Sequence, residues 1–441
     1  MKNTRKTCYL RTFGCQMNEH DSAKMRLMLT DLGYNFADQP EGADLILYNT
    51  CTIREKAHQK AVSELGRAKF YKGQNPNTII GICGCVAQQD GLQLARRFPE
   101  LDLIFGPDQI AKLPELLAQI SKARPVAALD LINSLEDYDF PLETPSQVES
   151  GHAFVTIMKG CNCACSYCIV PKVRGKEVSR QPEEVIKEVQ NLVKSGTKEI
   201  TLLGQNVTAY QQSGLSLAGL IAEISQQTEI KRIRFTSPHP KDVKPDLIAE
   251  YGRNEKLCPH LHLPIQSASN AMLKKMIRGY TREKYLEIVE TLRRVRPDIS
   301  ITSDFIVGFC SETEADFQDT INLLKEIEFD SIFAFKYSVR PGTFAAEKFA
   351  DDVPDQIKDK RLAQVLDLQR EITRQSNERL VGQTFSALVT GFDRQNTGKL
   401  TGRLPNNKII NFTGKPDLVG SIITVHIKRA LANSLEGKYE S

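Results

Sequence analysis

Short apolar runs alternate with amphipathic stretches along most of this chain, and the alternation is built differently in three successive segments. Up to about residue 120, runs at Thr7–Phe13, Asp44–Tyr48, Thr78–Ile82 and Leu101–Phe105 are followed by helical periodicity starting near Asp21, Thr52, Gln88 and Asp108. Apolar strands separated by helices predict a parallel sheet covered on both faces. Arg124–Glu149 is acidic, carries Pro125, Pro141 and Pro145, and reads as a linker. A second series then opens, with strands predicted at Ala153–Met158, Glu199–Leu203, Arg232–Phe235, His260–Pro264, Ser300–Val307 and Ser331–Tyr337. Helical patterns at Glu183–Lys194, Leu217–Ser225, Pro245–Tyr251, Arg282–Arg296 and Glu314–Ile327 sit between them. Six such units predict a partial (β/α)6 barrel, shorter than the eight-fold form.

An amphipathic helix from about Asp355 to Leu380 leads into a tail of a different kind. There Phe385–Thr390, Lys408–Phe412 and Ile422–Ile427 alternate with period two between glycine-rich turns, which predicts a small antiparallel β-barrel. The expected class is therefore α/β, divided as 5–122, 123–149 (linker), 150–378 and 379–441.

Charge sharpens this division. The 441 residues carry a formal net charge of +4, and the segment from Leu380 onward has eight Lys or Arg against four Asp or Glu. The whole excess of positive charge thus sits in the tail, where a small basic barrel suits an RNA loop. Phe385, Phe392 and Phe412 are candidates there for stacking or for core. If about four phosphates are neutralised, log affinity should fall with log salt at a slope of about −3. No run of eighteen apolar residues occurs, and the N-terminal stretch lacks the apolar core of a signal peptide. A cytoplasmic, membrane-free protein is expected.

The eleven cysteines change the picture most. In a large cytoplasmic chain they point to metal-binding thiolates rather than to a disulfide framework. Cys161, Cys165 and Cys168 form C-x3-C-x2-C directly after the first barrel strand, where barrels place their chemistry. Three thiolates on a 4Fe–4S cube leave one iron open to a chelating substrate. A structural zinc site usually draws on two separated cysteine pairs, and this loop has only the extra Cys163. A two-cluster ferredoxin run would need a different spacing.

Cys15, Cys51 and Cys85 are far apart in sequence, yet each follows a predicted strand of the first segment. In a parallel sheet the carboxyl ends of strands share one edge, so the three should converge. The alternative is three unrelated buried thiols. Cys83 competes with Cys85 as third ligand, and Cys85 is preferred because it lies further past its strand. Cys8, Cys258 and Cys310 read as core.

At these residues the chain resembles the radical SAM methylthiotransferase family. The strings that carry the resemblance are Thr12–Asn18, Asn49–Ala57, Gly84–Gln88, Thr236–Pro240 and Tyr337–Thr343. The likeness covers nearly the whole chain: a methylthiotransferase N-terminal domain, a radical SAM domain and a TRAM domain. It implies two 4Fe–4S clusters, an auxiliary one on Cys15, Cys51 and Cys85 and a radical-generating one on Cys161, Cys165 and Cys168. It implies S-adenosyl-L-methionine (SAM) as co-substrate, facing Gln205, Asn206, Ser237, Gln266, Arg278 and Asp304, with Tyr167 near its adenine.

The likeness is greatest to the branch that methylthiolates C2 of N6-isopentenyladenosine beside the tRNA anticodon. The implied partners are the anticodon loop, an electron donor and a sulfur source, and the expected state is a monomer. Another methylthiolation target (threonylcarbamoyl-adenosine or a ribosomal-protein aspartate) and a non-catalytic iron–sulfur RNA-binding protein are the competing readings. Arg174, Glu177 and Arg180 are expected to serve substrate binding or surface ion pairs. His260 and His262, on one strand face, read as structural. Ala268 departs from the glycine usual in relatives.

Overall fold

The computed structural model describes residues 6–52, 55–122, 124–134, 150–393 and 398–440, and these fall into two compact units. The first unit contains the described residues up to 134 together with Lys159–Asn162 and Ile169–Val178. The second contains the remaining described residues, from 150 to 158, Cys163–Cys168, and Ser179 onward.

The first unit is built on six parallel strands: β1 (Thr7–Thr12), β2 (Asn35–Phe36), β3 (Leu45–Thr50), β4 (Ile79–Gly84), β5 (Leu103–Phe105) and β6 (Val126–Ala128). Their order is β2-β1-β3-β4-β5-β6, and every pairing is parallel. All six residues of β3 are buried, as expected of a central strand with helices on both faces. Leu45 and Leu47 pack with Met25 and Leu29 on one side, while Ile46 and Tyr48 pack with Ala61 and Leu65 on the other.

Two strands depart from the sequence reading. β2 is a two-residue edge strand too short to show periodicity. β6 lies inside the stretch read as linker, so that reading fails for its described part. Val126-Ala127-Ala128 pairs with Leu103–Phe105, and the chain beyond is anchored by Gln88 and Gln109 side chains donating to the carbonyls of Leu129 and Asp130. Three apolar residues after a proline are enough for an edge strand when a partner is waiting. Residues 135–149 of the linker reading lie outside the described residues.

In the second unit the parallel strands are β7 (His152–Thr156), β10 (Glu199–Leu203), β13 (Arg232–Phe235), β14 (His260–His262), β15 (Ser300–Val307) and β16 (Ser331–Lys336). The short strands β8 (Met158–Lys159), β9 (Val178–Ser179), β11 (Gln211–Gln212) and β12 (Leu215–Ser216) lie between β7 and β13 in sequence. The ladders β7-β10-β13 and β14-β15-β16 are joined by a parallel bridge between Ile233 and Leu257. The result is the expected six-stranded partial barrel. Odd and even positions separate cleanly. Val155, Ile200, Leu202, Ile233, Ile301 and Phe305 belong to the helix-facing core, so Thr156, Thr201, Arg234, Thr302 and Asp304 face the other way, into the barrel.

The tail forms a closed barrel in the order β17-β18-β19-β21-β20, from β17 (Thr384–Phe392), β18 (Leu400–Arg403), β19 (Ile409–Phe412), β20 (Ile422–Ala430) and β21 (Leu435–Tyr439). Phe412 is fully buried in its core and Phe385 packs partly against it. Phe392 is 57% exposed.

This small barrel is seated on residues that begin the large barrel's strands. Arg232 donates to the carbonyls of Arg403 and Ser386 at 3.0 and 2.9 Å, and Arg234 donates to that of Leu404 at 2.7 Å. Glu199, with no exposed surface, pairs with Arg232, Arg234 and Arg403. Burial works against its charge, but Arg403 and Arg234 overcome this and hold its pKa at about 2.

Candidate functional site

Cys15, Cys51 and Cys85 occupy equivalent places in the first unit. Cys51 and Cys85 come directly after the carboxyl ends of β3 and β4, and Cys15 lies three residues past that of β1; the three strands are neighbours in the sheet. Register fixes the match: Thr12 pairs with Asn49, and Thr50 with Gly84. Adjacent strands stand about 4.8 Å apart, so residues distant by 34 or more in sequence meet at one edge.

Cys15 opens helix Gln16–Asp31 as its N-cap, and Cys85 begins helix Cys85–Asp90. Glycine makes both approaches feasible. Gly14 (φ 135°) and Gly84 (φ 87°) have positive φ, and a Cβ on them would strike Cys51 and the Thr50 carbonyl respectively. Beneath the cysteines, Asn18 donates to the Asn49 side chain and to the Thr50 carbonyl at 2.9 and 2.8 Å, tying the two strand-end loops together.

The thiols are electrostatically prepared. A hydrogen bond from Cys51 is the largest influence on Cys15; with help from Arg174 it outweighs desolvation and lowers the thiol to about 6. Burial pushes Cys85 up, opposed by Arg174. The Arg174 guanidinium, itself 4% exposed, lies 3.3 Å from the Cys85 sulfur and 3.0 Å from Asp21. Three convergent thiols, one already acidic, beside a buried cation suit an iron–sulfur cluster held by three thiolates. Cys83 does not join them. It lies within β4, fully buried, with its thiol 3.8 Å from the Met25 sulfur.

The C-x3-C-x2-C loop is split between the units. Cys161 belongs to the first, where its amide donates to the Gly175 carbonyl at 3.1 Å. Cys165 and Cys168 belong to the second, joined by a 3.0 Å bond from the Cys168 amide to the Cys165 carbonyl. Around Cys165, Arg278 donates to the sulfur at 3.2 Å, to the Tyr167 hydroxyl at 3.3 Å and to the Pro264 carbonyl at 2.8 Å. His239 stands 3.8 Å from the same sulfur. Burial first, then Arg278 and Lys241, lower its pKa to about 2, so its ring is neutral.

The residues expected near SAM are thus not all alike. Arg278 touches a cysteine sulfur directly. Asn206, 2% exposed, donates to Asp242 at 2.8 Å and lies 3.6 Å from the Cys163 sulfur. Cys163, His239 and Asp242 bring ligand atoms within 4.8 Å of one another, so Cys163 shares this polar cluster. Gln205 and Ser237 are half-buried in the loops after β10 and β13. Gln266 bridges to β15, its amide meeting the Asp304 carbonyl.

Sequence reasoning missed one signal at two of these positions. Ser237 (φ 60°) and Gln266 (φ 77°) hold left-handed backbone without being glycine, a strain that collects at functional loops. Asp304 lies 3.4 Å from His262, whose other ring nitrogen meets the Thr302 hydroxyl at 3.0 Å.

Arg174 and Arg180 are buried, which overturns the expectation of surface ion pairs for them. Arg180 pairs with Glu188 and with Glu184. Glu177 instead binds the amide and side chain of Asn162 at 3.0 and 3.2 Å. Ala268 is buried without strained backbone, its amide 3.4 Å from the Thr320 hydroxyl.

Comparison with known proteins agrees with this layout. Residues 7–106 match the uncharacterized protein family UPF0004, residues 155–324 the radical SAM superfamily and residues 378–439 the TRAM domain. The chain is 45% identical over 438 residues to the tRNA-2-methylthio-N(6)-dimethylallyladenosine synthase of Syntrophotalea carbinolica, covering 98% of this chain and 99% of that protein. It is 44% identical to the protein so named from Bordetella pertussis, covering 98% and 97%. Among solved structures, the radical S-adenosylmethionine methyltransferase TsrM from Kitasatospora setae matches with a TM-score of 0.56 at 13% identity, covering 78% of this chain and 75% of that one. That last likeness bears on the fold alone.

Proposed function

The chain belongs to the tRNA-2-methylthio-N(6)-dimethylallyladenosine synthase family, and from that membership we propose that it methylthiolates C2 of N6-isopentenyladenosine beside the anticodon of tRNA. It is a radical SAM transferase, which brings one 4Fe–4S cluster and SAM. In this reading Cys161, Cys165 and Cys168 hold that cluster, and Cys15, Cys51 and Cys85 hold a second one. The observation that carries the second cluster is the placing of three cysteines at the ends of three adjacent strands.

Bound there, the clusters and SAM supply the radical and the activated sulfur that an unreactive aromatic C–H demands, since side chains alone offer no acid–base route to it. The protein's own groups hold and screen. Arg174 offsets thiolate charge at Cys85 and is fixed by Asp21. Arg278 does the same at Cys165 while its second arm is fixed by the Pro264 carbonyl. Tyr167, Gln205, Asn206, Ser237, Gln266 and Asp304 line the strand ends where SAM would bind. The TRAM barrel gives RNA affinity from residues 379–441, after a catalytic part of 150–378 and an auxiliary-cluster part of 5–122. The working form is a cytoplasmic monomer served by a separate electron donor and sulfur source.

The test is anaerobic reconstitution with SAM, reductant and isopentenyl-modified tRNA, followed by mass analysis of the digested nucleosides. The 2-methylthio nucleoside is the expected product. Accumulation of 5′-deoxyadenosine without it would leave the radical chemistry standing and overturn the substrate.

A further inference from the structure

The cysteine loop carries one thiol more than a three-thiolate cluster takes. Cys163 and Cys165 are two residues apart, and both sulfurs gather at one imidazole. His239 Nε2 lies 3.8 Å from the Cys165 sulfur, and ligand atoms of Cys163, His239 and Asp242 lie within 4.8 Å of one another. Proximity alone therefore leaves two cysteines in competition for one place on the cluster. What separates them is the residue that follows Cys165. Ser166 has no exposed surface, and its amide, hydroxyl and carbonyl are each bonded to a distant segment. The amide donates to the Met276 carbonyl at 3.0 Å, and the hydroxyl donates to the Lys275 carbonyl at 2.9 Å. The carbonyl accepts at 2.7 Å from the amide of Ala345, the second residue of the short helix Phe344–Lys348. The turn around Ser166 is closed by the Cys168 amide on the Cys165 carbonyl, and Arg278 holds the flanking Cys165 sulfur and Tyr167 hydroxyl.

We propose that Ser166 is the positioning residue that makes Cys165, and not Cys163, a ligand of the radical-generating cluster. This rests on the cluster reading above. A turn tied at all three of these groups presents Cys165 and Cys168 together before any iron arrives, so the cluster has little to order there when it binds. Cys163 lies outside that turn and is fastened differently, its sulfur 3.6 Å from the side-chain amide of Asn206. Taking Cys163 as ligand means drawing it away from Asn206 and moving Cys165 aside, which the bonds of Ser166 resist. Without the serine hydroxyl one of the ties is lost and the turn can shift. A buried hydrogen bond of this kind is worth about tenfold in an equilibrium, here the one between the two thiolates.

The experiment uses the full-length protein, reconstituted without oxygen, reduced and given SAM. The readout is the SAM-dependent part of its electron paramagnetic resonance spectrum, which reports the ligands of the cluster that binds SAM, with iron content per chain beside it. Wild type is expected to show one species. Ser166→Ala should raise the share of a second species by about tenfold, and Cys163→Ala in the same chain should remove it. Ser166→Thr, which keeps the hydroxyl, should resemble wild type. Melting temperatures of the metal-free chains separate a general loss of stability from a change of ligand. Cys165→Ala tests the same choice with the serine untouched: the signal should vanish, and a signal carried there by Cys163 overturns the proposal. A single unchanged species in Ser166→Ala removes the role of the serine, and a second species that survives Cys163→Ala removes the competition between the cysteines. A wild-type protein with no SAM-dependent signal overturns the cluster reading as well.

Discussion

The two cysteine sites reach similar ends by opposite routes. Cys161, Cys165 and Cys168 are neighbours in sequence, and a single loop delivers them. Cys15, Cys51 and Cys85 are brought together only because β1, β3 and β4 lie side by side. Each site has a buried arginine donating to one cysteine sulfur, Arg174 to Cys85 and Arg278 to Cys165. The neighbours of the two arginines differ. Arg174 is paired with the carboxylate of Asp21, whereas, besides the Cys165 sulfur, Arg278 donates among the described residues to the Tyr167 and Tyr280 hydroxyls and the Pro264 carbonyl. Arg174 draws the Cys15 and Cys85 thiols down while sharing its charge with Asp21, whereas among the described residues Arg278 shares its charge with no carboxylate. The lesson is that similar local contacts can set quite different electrostatic environments.

The largest expected effect would break the comparison outright. Replacing Cys15, Cys51 or Cys85 by alanine should abolish the methylthio nucleoside yet leave SAM cleavage to 5′-deoxyadenosine, while Cys165→Ala should abolish both. Nucleoside mass analysis and 5′-deoxyadenosine release read the two outcomes, and loss of both products in Cys15→Ala would show that the sites are not separable.

A smaller effect sharpens the role of charge. Arg174→Ala strands the buried carboxylate of Asp21, a loss of about 3–5 kcal/mol for a broken buried pair, and Asp21→Asn in the same chain should recover part of it. Among the described residues Arg278→Ala strands no carboxylate, so no second substitution of that kind should rescue it. Melting temperatures of the four proteins, wild type included, decide this.

The smallest effect concerns the base of the second unit. Glu199 is held at about 2, and His152 is lowered to about 3, chiefly by burial with help from Arg403. Both folded values lie below their unfolded ones, so both contribute stability that is complete above about pH 6.5 and falls as the pH drops through each folded value. For His152 the loss begins below its unfolded value of about 6.5, and for Glu199 below about 4.5. Melting temperature should therefore decline in two stages on acidification, and Glu199→Gln should remove the lower one.

Much of this was legible in the sequence. Four of the six strands in the first sheet, all six large-barrel strands and the closed tail barrel follow from apolar periodicity, because each buries a face against helices or its own interior. The convergence of Cys15, Cys51 and Cys85 followed from topology, since parallel strands end on one edge. What escaped was set by tertiary partners. β2 and β6 are too short to show a period and exist because β1 and β5 offer open edges. The burial of Arg174 could not be read from a charged Arg-Gly-Lys-Glu string, since only Cys85 and Asp21, 89 and 153 residues away, explain it. The strained backbone at Ser237 and Gln266 leaves no mark on residue type.

The seat of the small barrel has a mechanical consequence. Glu199 and Arg232 are the first residues of their strands, and the bonds from Arg232 and Arg234 lock the RNA-affine module against that end. The cysteine loop and Gln266 stand past the other end. Strands of five to eight residues advance about 3.3 Å per residue. An RNA gripped by the small barrel while its base is worked on at the far end must therefore bridge roughly 15–25 Å of rigid protein. The second unit thus works as a caliper with one fixed jaw, and the spacing of its jaws is written in strand length.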